Sequence, residues 1–229
     1  KSNQERNQYA IRVDLNATEK DSFKGIYSWN RESNLRPDAD TTTFSEIPNV
    51  IQYSTNQQFT FGYVRTIAPN IVNEFVGGFF NSDVPFDKTD ASPSYLLSIP
   101  LVTFPENTFL SQGRKTRNRT FSDNLDWVKG SHSLRFGGEM QYYQVDSYND
   151  AGIVPTYSIG TGSATPQFTT ASFTSYGGIG TTNLGTANGL MALLGGIVNG
   201  ASQTFNIADV NSGFAATRLF QPFRYENHQ

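Results

Sequence analysis

Across the dipeptide Gly130-Ser131 the apolar residues of this chain change phase. Before it, Phe121, Leu125 and Trp127 stand on odd numbers; after it, Leu134, Phe136, Met140 and Tyr142 stand on even ones. Alternation of apolar with polar residues at a period of two marks a strand with one apolar face. Antiparallel partners have position numbers of constant sum, so a two-residue turn with Lys129 opposite His132 sets that sum at 261 and pairs odd apolar residues with even ones. Trp127 then faces Leu134, Leu125 faces Phe136, and Phe121 faces Met140. On the opposite face the same register sets Asp126 against Arg135, a cross-strand charge pair worth roughly 0.2–1 kcal/mol. One register satisfies both faces, so the spacing predicts a long hairpin over about 119–148.

Two more hairpins precede it. In 7–32, Tyr9, Ile11, Val13 and Leu15 and then Phe23, Tyr27 and Trp29 are all odd, which requires an odd loop; a sum of 38 puts Tyr9 opposite Trp29, Ile11 opposite Tyr27 and Asp14 opposite Lys24. In 57–81, Phe59, Phe61 and Tyr63 precede a turn near Ala68-Pro69-Asn70, and Phe75, Gly77 and Phe79 follow it, with a weaker alternation because Val64, Val76 and Phe80 fall on the polar face. Pro69 marks the turn because it cannot donate to a ladder. Long polar segments over 33–56, 82–117 and 149–204 separate these units, the last holding one short helix expected over Asn188–Leu194, and a further strand is expected over about 213–226.

Tight turns thus alternate with long loops. Several structureless connections of that length are unusual in a compact soluble domain, whereas outer-membrane barrels combine short periplasmic turns, long extracellular loops, an apolar lipid face and a polar lumen. The expected fold is all-β: an antiparallel up-and-down meander of long hairpins forming part of a transmembrane β-barrel, in the bacterial outer membrane and in contact with its lipid. Tyr9, Trp29, Trp127, Tyr142 and Tyr148, near strand ends, suit interfacial aromatic girdles. Asp123 falls on the apolar face opposite Gly138, so either the lipid band begins after Asp123 or a bulge intervenes. A soluble β-sandwich also alternates apolar with polar residues and is the rival architecture.

Composition removes several function classes. The 229 residues carry a formal charge of −3 and no basic stripe, so no nucleic acid is expected as a partner. Cysteine is absent, which rules out disulfides and thiolate metal sites. No run of eighteen apolar residues forms a transmembrane helix. The two histidines, His132 in a tight turn and His228 near the end, have no second ligand beside them, so no metal, cofactor or catalytic residue is assigned and no enzyme is expected. Asp14, Asp126 and Glu139 read as lumen-facing structural charge. The Gly-rich 177–185 lacks a lysine and a preceding strand, and reads as a flexible loop rather than a phosphate cradle.

Several stretches resemble the barrel domain of TonB-dependent outer-membrane receptors, especially the Oar-like group. They are NQYAIRVDLNATEKDSFKGIYSW at 7–29, PNIVNEFVGGF at 69–79, FSDNLDWVKGSHSLRFGGEMQYY at 121–143, and NGLMALLGG at 188–196 followed by ASQTF at 201–205. The resemblance implies a barrel of about twenty-two strands around a plug, taking up nutrients with energy passed through the TonB system. It also implies capture of a small ligand (chelate, sugar or peptide) by the extracellular loops and the lumen wall. No plug or TonB-contacting box is found here, and both ends read as cut, so the chain is expected to be a piece of a longer receptor. The rival functions are a secreted β-sandwich that binds carbohydrate or acts as an adhesin, and a passive porin-like channel.

Overall fold

The computed structural model describes residues 4–39, 50–89, 93–104, 108–207 and 211–228. Seven strands form one antiparallel sheet in the order β1-β2-β3-β4-β6-β7-β10: β1 (Gln4–Asn16), β2 (Asp21–Arg36), β3 (Val50–Ala68), β4 (Ile71–Lys88), β6 (Gln112–Lys129), β7 (His132–Asn149) and β10 (Leu219–His228). Short strands β5 (Leu96–Ser98), β8 (Thr156–Ile159) and β9 (Val198–Ser202) make a second sheet in the long connections, together with a 3₁₀ turn (Thr170–Tyr176) and helix α1 (Thr181–Gly195).

The registers follow the phase argument. Pairs from Lys129↔His132 to Gln112↔Asn149 keep the sum of 261, and those of the first hairpin keep 38. Asp126 and Arg135 approach to 3.5 Å with both side chains more than half exposed, so this contact contributes little. Asp14 does lie opposite Lys24, but its carboxylate instead accepts two hydrogen bonds from Arg12, two residues along its own strand, at 2.6 and 3.0 Å. The middle turn is Pro69-Asn70, and a bulge between Thr66 and Ala68 absorbs one extra residue in β3. Neither expectation for Asp123 holds: the ladder runs through it without a shift, and Phe121 and Met140 continue the apolar face beyond it. Asp123 instead accepts a hydrogen bond from Asn73 at 3.0 Å, which satisfies the carboxylate on the apolar face.

No described element packs across the apolar face of the large sheet. Val50 and Ala192 are the buried hydrophobic residues of the described chain, while Phe121, Phe136 and Met140 are 39, 54 and 44% exposed. A soluble sandwich would cover that face with a second sheet; here it is left for lipid. No helix is long and apolar enough to cross a membrane, which says nothing about crossing by strands.

The apolar stripe is staggered across the ladder. Its upper end is Tyr9 on β1 but Phe121 on β6, which is in the row of Val13, four residues lower; its lower end is Leu15 on β1 but Trp127 on β6, again four residues beyond the row of Leu15. Four residues of rise are about 13 Å and the four strand spacings between β1 and β6 about 19 Å, so a level band requires strands tilted by about 35°. That is the tilt of membrane barrels. The same slope carries the band below His228 on β10, so both faces of that strand lie above the lipid. This accounts for its inverted pattern, with Arg224, Glu226 and His228 outward and Phe223 and Tyr225 on the lumen side.

The five central strands have 16 to 19 residues, whereas a tilted strand needs about 9–11 to cross a bilayer. Their upper halves rise well above the membrane on the long-loop side. Edge strands β1 and β10 run in the same direction, because each descends toward the tight-turn end. They cannot pair antiparallel with each other, so an all-antiparallel barrel containing this sheet has an odd number of further strands.

Candidate functional site

The residues best placed to meet a ligand are the upper lumen wall and the loops above it. The connections 89–111 and 150–218 fold against each other: β5 pairs parallel with β8 and β8 antiparallel with β9. This small sheet, with α1 beside it in sequence, gives the described part of the third loop more regular structure than the single short helix expected from the sequence. Helix α1 starts at Thr181, seven residues before Asn188, so half of the Gly-rich 177–185 is its first turn. Gly177 and Gly178, at φ of 87° and 83°, supply the left-handed turn between the 3₁₀ segment and α1.

The base of these loops is clamped. Arg218 donates to both carboxylate oxygens of Asp150 at 2.6 Å each, and its guanidinium lies 4.0 Å from the Tyr148 ring centroid. Burial and then the nearby Asp87 carboxylate push the Tyr148 phenol up from its ordinary value, and the Asp150 bonds hold Arg218 in its charged form. The backbone N–H of Asp150 donates to Ser111, and that of Thr204 to Gly152, so both ends of the 150–218 loop and the end of the 89–111 loop share one knot. Tyr148 thus belongs to the extracellular wall, six residues above the girdle position of Tyr142, where it lies across Gly113. Bidentate charged hydrogen bonds are worth about 1.5–3 kcal/mol. Asp150→Ala is therefore expected to raise amide exchange at Asp150 and Thr204 about tenfold or more while leaving the exchange of β6 and β7 unchanged.

On the lumen side of the rim, Arg36, Gln52, Phe86, Gln112 and Arg114 line a cleft of about 480 Å³. Arg36 donates to Gln52 and to Asp38, and its guanidinium lies 5.3 Å from the Phe86 ring centroid. Arg114 forms no ion pair among the described residues and is exposed. The cleft can meet a planar or anionic group with a free guanidinium, a carboxamide and an aromatic face. None of these residues stands out in the sequence, because above the membrane both faces of a strand are wet and the period-two contrast disappears.

Hydrogen bonds from Arg36, and then from the Asp38 backbone, lower the Asp38 carboxyl from 3.8 to about 2. A lowered folded value stabilises the corner above the ordinary carboxyl range, and the effect is lost as pH falls through about 2. The Arg36 side-chain N–H resonance is expected to hold its position from neutral pH down to about pH 4 and to move only between there and about pH 2.

Lower down, the lumen wall carries Arg12, Lys24, Glu74, Asn118 and Glu139 on the face opposite the lipid band, with Val64, Val76 and Phe80 of β3 and β4 interrupting it. Asp14, Asp126 and Glu139 lie on this inner face, as expected. Among the described residues no group of three or more His, Asp or Glu could hold a metal ion. His132 is exposed in its turn, paired with Lys129.

The lower girdle is built from Trp127, with the Lys129 ammonium 5.1 Å from its ring, and from Tyr63, whose hydroxyl donates to Asp21 at 2.7 Å. The upper girdle has Tyr9 stacked on Trp29 at 5.6 Å. A tilted sheet with a lipid-facing apolar band, two aromatic belts, a polar inner face and long loops at one end is the wall of a membrane β-barrel. The chain belongs to the outer membrane beta barrel domain family, which matches residues 1–221. It therefore resides in the bacterial outer membrane, in contact with its lipid, and the family supports a membrane transport or porin-like role in general. No curated protein and no solved structure matches the chain.

Proposed function

We propose that this chain forms part of the barrel of a TonB-dependent receptor, in which the long loops and the upper lumen wall capture a small ligand for energised uptake, with no enzymatic step. The observation that carries the reading is the knot joining two long loops at the top of the wall: Asp150 binds both Arg218 and Ser111, which ties the described parts of the two loops together at the long-loop end of β6, β7 and β10. A pore for passive diffusion has little use for two long loops tied to each other, whereas selective capture requires a defined surface. The likeness of 7–29, 69–79 and 121–143 to Oar-like receptors supports the same reading. The Arg36, Arg114 and Phe86 cleft favours an anionic or aromatic chelate, sugar acid or peptide as ligand.

The test is uptake by cells carrying the intact gene, with and without a functional TonB system. Loss of uptake and of ligand-dependent growth when TonB is removed is expected. Uptake that continues unchanged without TonB, together with high open conductance of the purified protein in planar bilayers, would establish the porin-like alternative.

A further inference from the structure

The first outward-facing residue above the continuous apolar band, taken strand by strand, is Asn7 on β1, Arg31 on β2, Gln57 on β3, Asn81 on β4, Arg119 on β6 and Gln144 on β7. This ring contains two guanidiniums, four carboxamides and no carboxylate. In a chain with 20 acidic and 17 basic residues, a ring lacking acid at this depth stands apart. The headgroup layer adds about 5–7 Å of polar depth on each side of the hydrocarbon core, which is the level of one or two outward residues above the band. The ring therefore lies where the headgroups of the outer leaflet lie.

The best-formed part of the ring spans β3, β4 and β6. Arg119 donates to Asn81 at 2.9 Å, and its guanidinium lies 5.2 Å from the Phe79 ring, which fixes it against the top of the apolar band. Immediately above, a cleft of about 380 Å³ is lined by Thr55, Gln57, Asn81, Asp83, Lys115 and Arg117. The carboxylates come further out: Asp83 is 3.8 Å from Lys115, and Asp146 is 3.6 Å from Arg117 and 3.0 Å from Arg224. Glu5 and Glu226 also face outward above the band, on the edge strands β1 and β10.

We infer that this outward cleft is a headgroup site for the phosphorylated glycolipid of the outer leaflet. Arg119 and Arg117 meet a phosphate, and Gln57 and Asn81 hydrogen-bond the sugar to which it is attached. Guanidinium suits phosphate because it offers paired donors with a charge, and each cation near an anionic membrane surface gains about fivefold in affinity. The cleft is continuous with the lipid-facing band, so the acyl chains of the same molecule have the Phe59, Phe79 and Phe121 surface beneath them. This inference rests on the lipid-facing orientation of the sheet and not on TonB coupling.

The test is native mass spectrometry of the intact protein in neutral detergent, titrated with bis-phosphorylated lipid A, with the same lipid stripped of both phosphates, and with inorganic phosphate as competitor. The expected result is a retained glycolipid on the unmodified protein and about tenfold or weaker binding of the stripped lipid. The double variant Arg117→Gln/Arg119→Gln should bind the phosphorylated lipid at least tenfold more weakly. Arg117→Lys/Arg119→Lys should stay within about threefold, and the lumen-side variant Arg114→Gln should match the unmodified protein. Equal binding of stripped and phosphorylated lipid overturns the inference, and that comparison needs no variant to fold. So does full binding by the double Gln variant, or displacement of the glycolipid by inorganic phosphate, which would make the cleft a site for soluble anions.

Discussion

Phe61→Arg is expected to lower the stability of the protein in lipid by about 2–4 kcal/mol, while Ser122→Arg, on the lumen face close to the same depth, changes it by less than about 1 kcal/mol. Phe61 is on β3 with Phe59 above it and Tyr63 below it, in the row of Val13 and Phe121, and its side chain points away from the lumen. A guanidinium there meets hydrocarbon, between Phe59 and the girdle residue Tyr63 on the same face of β3. Ser122 faces inward opposite Glu139, where a new cation gains a partner. Depth supplies a second check: Ile67→Arg, beside the tight turn and 50% exposed, is expected to cost no more than about 1 kcal/mol. Urea titration of folding into lipid vesicles measures all three. Equal costs for Phe61→Arg and Ser122→Arg would mean that the two faces meet the same surroundings.

Gly78→Val is expected to cost about 3 kcal/mol or to prevent folding, whereas Gly62→Ala on the same inner face costs less than about 1 kcal/mol. A Cβ at Gly78 would lie 2.4 Å from the Phe59 carbonyl oxygen and 3.3 Å from Thr60 Cα, all backbone of the neighbouring strand, so only separation of β3 from β4 makes room. At Gly62 the nearest atom is Lys24 Cε at 3.5 Å, an ordinary contact at the end of a flexible side chain. The contrast is read in the same titration, and it arises from local strand approach rather than from lipid, so it is expected to persist in any detergent that keeps the fold.

How much of this was legible in the sequence depends on where each residue stands relative to the membrane. Within the lipid band one face is oil and the other water, the alternation is strong, and the constant-sum argument yields the true partners of Trp127, Leu125 and Tyr9. Above the band both faces are wet. Residues 33–36, 50–56, 82–88 and 112–118 therefore show no contrast, and the strands run on through segments that read as loop. The upper rim, with Arg36, Arg114 and Tyr148, was hidden for that reason. Asp123 was misjudged because a carboxylate on the apolar face looked like a break in the pattern, while Asn73, fifty residues away, satisfies it without one. The ion pair of Asp14 followed side-chain reach along one strand, to Arg12, rather than the cross-strand register. The loop sheet could not be read at all, since β5, β8 and β9 are 3 to 5 residues long and pair across distant segments.

The central claim is that odd-numbered residues of β6 face lipid and even-numbered ones face an aqueous lumen. Single cysteines at Leu125 and Trp127, and separately at Asn124 and Asp126, test it in membranes carrying the intact protein, with no native cysteine within this chain to compete for the label. The expected result is labelling of positions 125 and 127 by a lipid-soluble maleimide alone, and of 124 and 126 by a water-soluble one. Protection of 125 and 127 from both reagents would place them in a protein core and contradict the barrel wall.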